Sequence, residues 1–263
     1  MKITHHIALR LDNAEETTGF AKLGLKLPER KLASIDIAED DPRWREVEAL
    51  IGRTKYPIID TVTTEFSNLE LDGAKFLGMV ATSSAGYPQP EQQQGYLAST
   101  YDMEHCCKRC GLGKRQIAPF RVSLAEPKRD KSIFQLNWIF DEFFLSREAW
   151  KAVFEPFGIG YHPVIAHNTG KEMDRLVQLD INDVHNLMLT GTNCEECSLC
   201  GRRKFPFNTK GFFPKPVFPQ SDLFKSTEAF GAFGFSLVIV SHKLHRAMKR
   251  AALTGIKFYP CVD

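Results

Sequence analysis

Two copies of one five-residue pattern, Cys107-Lys-Arg-Cys110-Gly111 and Cys197-Ser-Leu-Cys200-Gly201, constrain this chain more than any other feature. Two residues between the cysteines let both sulfurs face one side of a tight turn. The glycine after the second cysteine supplies the positive φ that such a knuckle demands. Together the knuckles offer four thiolates, enough to enclose one tetrahedral zinc. A four-thiolate site keeps no open coordination position, so it clips a fold together rather than activating a substrate.

Other chemistries fit the pattern less well. A single CxxC beside a βαβ pattern reads as thioredoxin-like redox chemistry, but here both pairs close on glycine and neither has flanking Trp and Pro. Seven cysteines are an odd number for a disulfide framework. The start, from Met1 to Arg10, carries no long apolar stretch of a secretory leader, so a reducing cytoplasm and metal-bound thiolates are expected. Cys194 offers an alternative register, Cys194-Glu-Glu-Cys197, yet serine rather than glycine follows Cys197. Cys106 and Cys261 read as buried apolar residues. His105, beside the first knuckle, is a further candidate ligand in place of a thiolate.

The frame is that of a globular protein: 263 residues, 43% hydrophobic and 25% charged, with no apolar run of bilayer-spanning length. Its net charge of +2 conceals an asymmetry. Residues 1–95 hold eleven Lys and Arg against fifteen Asp and Glu, and the remainder holds twenty-three against seventeen. The boundary is expected in Tyr87-Pro88-Gln89-Pro90-Glu91-Gln92-Gln93-Gln94-Gly95, where two prolines interrupt helix and central strand alike. That places a cysteine-free α+β segment at 1–95 and a zinc-knuckle domain at 96–263. Before the boundary, Ile7 to Leu11, Ser34 to Ile37 and Pro57 to Val62 read as strands, and Asp41 to Leu50 as a capped helix. Ser67-x-x-Glu70 is a capping-box pattern that would open a helix carrying Leu71, Ala74 and Leu77.

After the boundary, two stretches read alike. Phe143-Phe144-Leu145-Ser146 leads into Arg147 to Phe157 and then Gly158-Ile159-Gly160-Tyr161-His162-Pro163. Val238-Ile239-Val240-Ser241 leads into His242 to Thr254 and then Gly255-Ile256-Lys257-Phe258-Tyr259-Pro260. Both spell strand, serine N-cap, helix, glycine stop, strand, proline. An internal duplication follows, with related units at 96–165 and 190–263. Ala149, Trp150, Val153, Phe154 and Phe157 mark the buried face of one helix, and Leu244, Ala247, Met248 and Ala251 that of the other. Within each unit the helix is long enough to cross between parallel strands, and Val164 to Ile181, turning at Asn168-Thr169-Gly170, reads as an antiparallel hairpin. One ion shared by Cys107, Cys110, Cys197 and Cys200 would tie the units at their bases across 86 intervening residues, closing a long loop.

The second knuckle extended by Arg202, then Phe205-Pro206, Asp222-Leu223-Phe224-Lys225, a strand ending at Ser241, a basic helix and Gly255-Ile256-x-Phe258 resemble the C-terminal half of the double-CXXCG motif family of myxobacteria. Cys107 to Gly111 matches the family's first motif, which lies near the start of the chain in that family and is preceded here by about a hundred residues. The resemblance implies a zinc-stapled scaffold and an immunity protein that neutralises a polymorphic toxin by binding it. It supplies no catalytic residues.

Such a binder needs a preorganised, charge-complementary surface, and Asp36, Glu39, Asp40 and Asp41 are the expected face for a basic toxin. The alternative is nucleic-acid binding: Lys114, Arg115 and Arg121 follow the first knuckle, and Arg202, Arg203, Lys204 and Lys210 the second. Phe205, Phe207, Phe212 and Phe213 are interleaved with them as candidate stacking rings. Catalysis finds no support in GxGxxG, Walker, GxSxG or HExxH patterns. Asp141 and Glu142 are expected on a strand and therefore on opposite faces. The expected architecture is α+β, with two strand–helix–strand units on a zinc-knuckle base after an N-terminal segment.

Overall fold

A computed structural model describes residues 1–11, 14–27, 32–123, 132–189 and 191–262. Thr190 and Asp263, at the bounds expected for the second related unit, lie outside the described residues. The chain divides into two compact units, one of residues 1–70 with 208–212 and one of residues 71–207 with 213–263.

The smaller unit contains β1 (Lys2–Arg10), α1 (Ala14–Lys22), β2 (Leu32–Ala38), α2 (Trp44–Ile51) and β3 (Ile59–Glu65). β1 is the central strand, antiparallel to β2 and β3. Alternation explains the sheet: Ile7 and Leu9 on β1, with Ala33, Ile35 and Ile37 on β2, turn inward, and the residues between them are more exposed. Ile7, Leu9, Ile35 and Ile37 pack on Phe20 of α1 and Val47 of α2. Asp41 does not cap α2 directly. It accepts the Arg43 backbone N–H and Nε, each at 2.9 Å, and Arg43 occupies the cap position. The capping box forms as expected: Ser67 N donates to Glu70 Oε2 at 2.8 Å and Glu70 N donates to Ser67 Oγ at 3.3 Å, opening α3 (Asn68–Gly73).

That helix ends at Gly73, so Leu77 lies not on it but on β4 (Phe76–Ala81), the first strand of the larger unit. Residues 87–95 also fall inside this unit, since β4 before them is a central strand and Pro88 bridges to Val122. There follow α4 (Tyr96–Thr100), β5 (Tyr101–Asp102), β6 (Arg115–Gln116), β7 (Arg121–Val122), β8 (Ile133–Phe134), β9 (Phe144–Ser146), α5 (Arg147–Val153), β10 (Tyr161–Ala166) and β11 (Glu172–Leu179). Then come β12 (Val184–His185), β13 (Glu195–Glu196), β14 (Arg203–Phe205), β15 (Phe213–Pro214), β16 (Leu223–Phe230), β17 (Phe235–Ser241), α6 (His242–Arg250) and β18 (Ile256–Val262).

Two sheets dominate this unit, ordered β7-β10-β11-β9-β8 and β13-β14-β16-β17-β4-β18-β15, with β12 beside β16. Five strands of the second repeat the order and directions of the first. β7 is parallel to β10, as β15 is to β18, and the pairings β10–β11–β9–β8 and β18–β4–β17–β16 are all antiparallel. The registers agree residue by residue. Leu145, Val177 and Pro163 form one row, and Val240, Leu77 and Pro260 form its counterpart. The expected crossover is corrected in one respect: β9 and β10 run parallel but do not pair, because β11 lies between them, as β4 lies between β17 and β18.

The same local chemistry starts both helices, which end at Val153 and Arg250, short of the glycines expected to stop them. Ser146 Oγ accepts from Ala149 N and Ser241 Oγ from Leu244 N, each at 3.1 Å, and Gly158 and Gly255 follow at φ of 71° and 91°. Val153 and Phe154, next to Leu244 and Met248, meet Leu77, Met79, Val177 and Leu179 in one core shared by both sheets. Ala251, expected on the buried stripe of α6, is exposed at its end. β10 and β11 form the antiparallel hairpin expected around Gly170, whose φ is 67°.

Candidate metal centre

Each knuckle sits at the tip of a short antiparallel hairpin. Tyr101 pairs with Gln116 and Asp102 with Arg115 around the first, and Glu195 pairs with Lys204 and Glu196 with Arg203 around the second. Inside the tips the backbone is matched. Gly111 N donates to Cys107 O and Gly201 N to Cys197 O, each at 2.8 Å, while Cys107 N donates to Leu112 O at 2.8 Å and Cys197 N to Arg202 O at 2.9 Å. Gly111 and Gly201 have φ of 73° and 69°, and a Cβ at either would meet nothing within 4 Å. Glycine is therefore required here by backbone angle and not by crowding.

The two hairpins bring Cys107, Cys110, Cys197 and Cys200 together with all four sulfurs within 4.8 Å of one another. Cys107 Sγ lies 3.8 Å from Cys197 Sγ, and Cys110 Sγ 3.6 Å from Cys200 Sγ. Metal–sulfur bonds of about 2.3 Å in a regular tetrahedron require sulfur–sulfur edges of about 3.8 Å. The four residues thus lie close enough to hold a metal ion, with Cys107 and Cys197 buried beneath Cys110 and Cys200.

Backbone dipoles prepare the inner pair for the thiolate form. The N–H groups of Cys110 and Arg109 point at the Cys107 sulfur and lower its thiol to about 6. Those of Leu199 and Cys200 lower Cys197 in the same way, two and three residues beyond each cysteine. At Cys200 the Arg202 N–H also favours the thiolate, but burial and the neighbouring Cys107, Cys110 and Cys197 sulfurs outweigh it and raise the thiol to about 11. Four sulfurs without a cation repel; a bound dication reverses that balance.

A second link joins the knuckles. The Arg202 guanidinium donates through Nη1 to His105 O at 3.0 Å and Leu112 O at 2.6 Å, so the second motif's arginine satisfies carbonyls of the first. Gly113 makes room for it: a Cβ there would lie 2.3 Å from His105 O and 2.4 Å from Arg202 Nη1. The only signals in the sequence were the extra glycine and the arginine after the second knuckle.

Other candidates take no part in the cluster. The His105 side chain is exposed and serves the site only through its carbonyl. Cys194 is exposed, and Glu195 and Glu196 after it are committed to β13, which rules out the alternative register. Cys261 is buried as expected, with burial raising its thiol to about 12, and Cys106 is half-buried. Phe205, Phe207 and Phe213 do not form an open platform. Phe205 packs on Phe230, Phe207 lies between Phe213 and Phe235, and Phe213 is buried. Phe212 belongs to the smaller unit, where it meets Phe66 at 5.3 Å.

Fold and site together define a mixed α+β protein with a four-cysteine cluster able to bind a metal. Neither a scan of family models nor a search of curated proteins gives any match to the chain. Among the described residues, no helix is long and apolar enough to cross a membrane.

Proposed function

We propose that the chain is a non-catalytic binding protein clipped by one structural zinc ion, and that its larger unit arose by internal duplication. The observation that carries this reading is the closed four-sulfur cluster, donated two by two from matched hairpins. An ion bound by all four sulfurs has no position left for substrate, so its contribution is rigidity. Support for the duplication comes from the equivalent strand order, registers and serine caps of the two sheets.

The resemblance to double-CXXCG immunity proteins makes the proposed partner a bacterial toxin, bound in the cytoplasm before it acts. The acidic stretch is less available than its sequence suggests. Asp36 faces His6 at 2.9 Å, Asp41 holds Arg43 at 2.7 Å, and Glu39 meets both His5 and Lys210. Asp40 is exposed, while recognition through Asp36, Glu39 or Asp41 would have to displace their present partners. Co-expression with a toxin encoded beside the gene tests the reading. Wild-type protein should restore growth and the variant Cys107→Ser/Cys197→Ser should not. Failure of the wild type to protect would overturn the toxin-binding assignment. A nucleic-acid binder would instead retain DNA or RNA with an affinity that falls steeply as salt rises.

A further inference from the structure

The two sheets differ sharply at one equivalent row, Phe144–Gln178–His162 in the first and Ile239–Gly78–Tyr259 in the second. In the second, the missing side chain of Gly78 admits the Phe213 ring, which stacks on Tyr259 at 4.6 Å; a Cβ on Gly78 would lie 2.2 Å from that ring. The fold therefore closes this position with apolar packing when nothing else is demanded of it. The first sheet leaves it polar and hollow. A cavity of about 450 Å³ opens there, within the range of small-molecule sites.

Its floor is a connected polar set. Gln178, 1% exposed, donates to Glu142 Oε2 at 3.0 Å and exchanges amide hydrogen bonds with Gln116 at 2.8 and 2.9 Å. The Lys225 ammonium donates to Glu142 Oε1. Asp141 and Asp180 line the same cavity. Asp141 and Glu142 were expected on opposite faces of a strand, but they precede β9 in irregular backbone, which lets both side chains converge. Asp180 Oδ1 is buried, with His162 Nε2 at 2.9 Å but out of hydrogen-bonding alignment.

Charge decides what this cavity would hold. Three carboxylates, Asp141, Glu142 and Asp180, face one buried ammonium. At the mouth, Arg115 is engaged by Asp102 at 3.5 Å and Lys114 sits over the Tyr101 ring at 5.1 Å. Both buried partners are shifted. Desolvation raises the Glu142 carboxyl against the opposing pull of Lys225, with Asp141 adding to the rise, while burial pulls the Lys225 ammonium down and Glu142, Asp141 and Asp180 together push it higher. Burial accounts first for the Glu142 rise and pairing with Glu142 first for that of Lys225, so the two describe a tightly held buried pair to which Asp141 and Asp180 add further negative charge. A buried charge set of this kind stabilises a fold poorly compared with apolar packing, which the other sheet uses at the same place.

We propose that this cavity is a binding site for a small organic cation, whose ammonium or guanidinium group is received by Asp141, Asp180 and the Glu142 carboxylate. The site includes none of the four cysteines, although the hairpin that carries the first knuckle forms one wall, and it does not rest on the toxin-binding reading. An adjoining cavity of about 670 Å³ shares Lys114, Asp141 and Ser236 with it and offers a route for a longer ligand.

Calorimetric titration of the metal-loaded protein with agmatine and spermidine, against D-glucose and citrate as uncharged and anionic probes, tests the proposal. Asp141→Asn and Asp180→Asn leave the Glu142–Lys225 pair intact, and circular dichroism and metal content report whether each variant folds. The expected result is cation binding that weakens by about tenfold or more in each folded variant, with neither glucose nor citrate bound. No cation binding, binding unchanged in folded variants, or preferential binding of glucose or citrate would overturn it.

Discussion

At the scale of single residues, exposure and local dipoles set the fate of each thiol. Cys194 is exposed, while Cys261 is buried with its thiol raised to about 12. Alkylation of the metal-loaded protein, followed by peptide mass mapping, should modify Cys194 first and leave Cys261 and the four knuckle cysteines unmodified; chelation should then expose the knuckles but not Cys261. Early labelling of Cys261 would show that its burial is misassigned. Glu39 is a second residue with a measurable signature. Hydrogen bonds from Lys210 and then His5 hold its carboxyl below the ordinary 4.5. Its folded form binds fewer protons than the unfolded one in that range, so the contribution is present above about pH 4.5 and is lost as pH falls through the folded value. Urea unfolding between about pH 3 and 6 should show this slope in the wild type and a shallower one in Glu39→Gln.

At the scale of elements, both helices begin on a serine whose hydroxyl accepts the N–H three residues ahead. Ser146→Ala and Ser241→Ala should each cost about 1 kcal/mol in chemical denaturation, and unequal losses would argue that the two caps are not equivalent. Gly78→Ala should destabilise more than a surface substitution, by about 1–3 kcal/mol, because its Cβ collides with a ring already stacked on Tyr259. These elements also show what a sequence can and cannot disclose. Cap and knuckle are local patterns, and Ser146, Ser241, Gly111 and Gly201 announce them, whereas α5 and α6 end on Phe154 and Ala251 before the expected glycines. The strand between β17 and β18 is not local. β4 arrives from more than a hundred residues earlier, so the local pattern places Leu77 on a helix begun by Ser67, whereas it is the central residue of a sheet row. The expectation that Asp141 and Glu142 face opposite ways fails for a related reason. Alternation assumes regular strand, and the irregular backbone before β9 breaks it just where the cavity forms.

At the scale of the molecule, two similar five-strand arrays share one core and meet again at the knuckle hairpins, where Arg202 links motif to motif and four cysteines lie close enough to hold a metal ion. The division of labour follows. On the proposed reading a shared ion supplies rigidity, and the difference between the two sheets at the Gln178 row and the Gly78 row marks where binding chemistry is to be sought. The central claim is that one ion is held jointly by both halves, and native mass measurement of the purified chain tests it most directly. The account predicts one zinc per chain, lost when either cysteine pair is replaced by serine. Two ions per chain, none, or a full equivalent retained after replacement of Cys197 and Cys200 would contradict it.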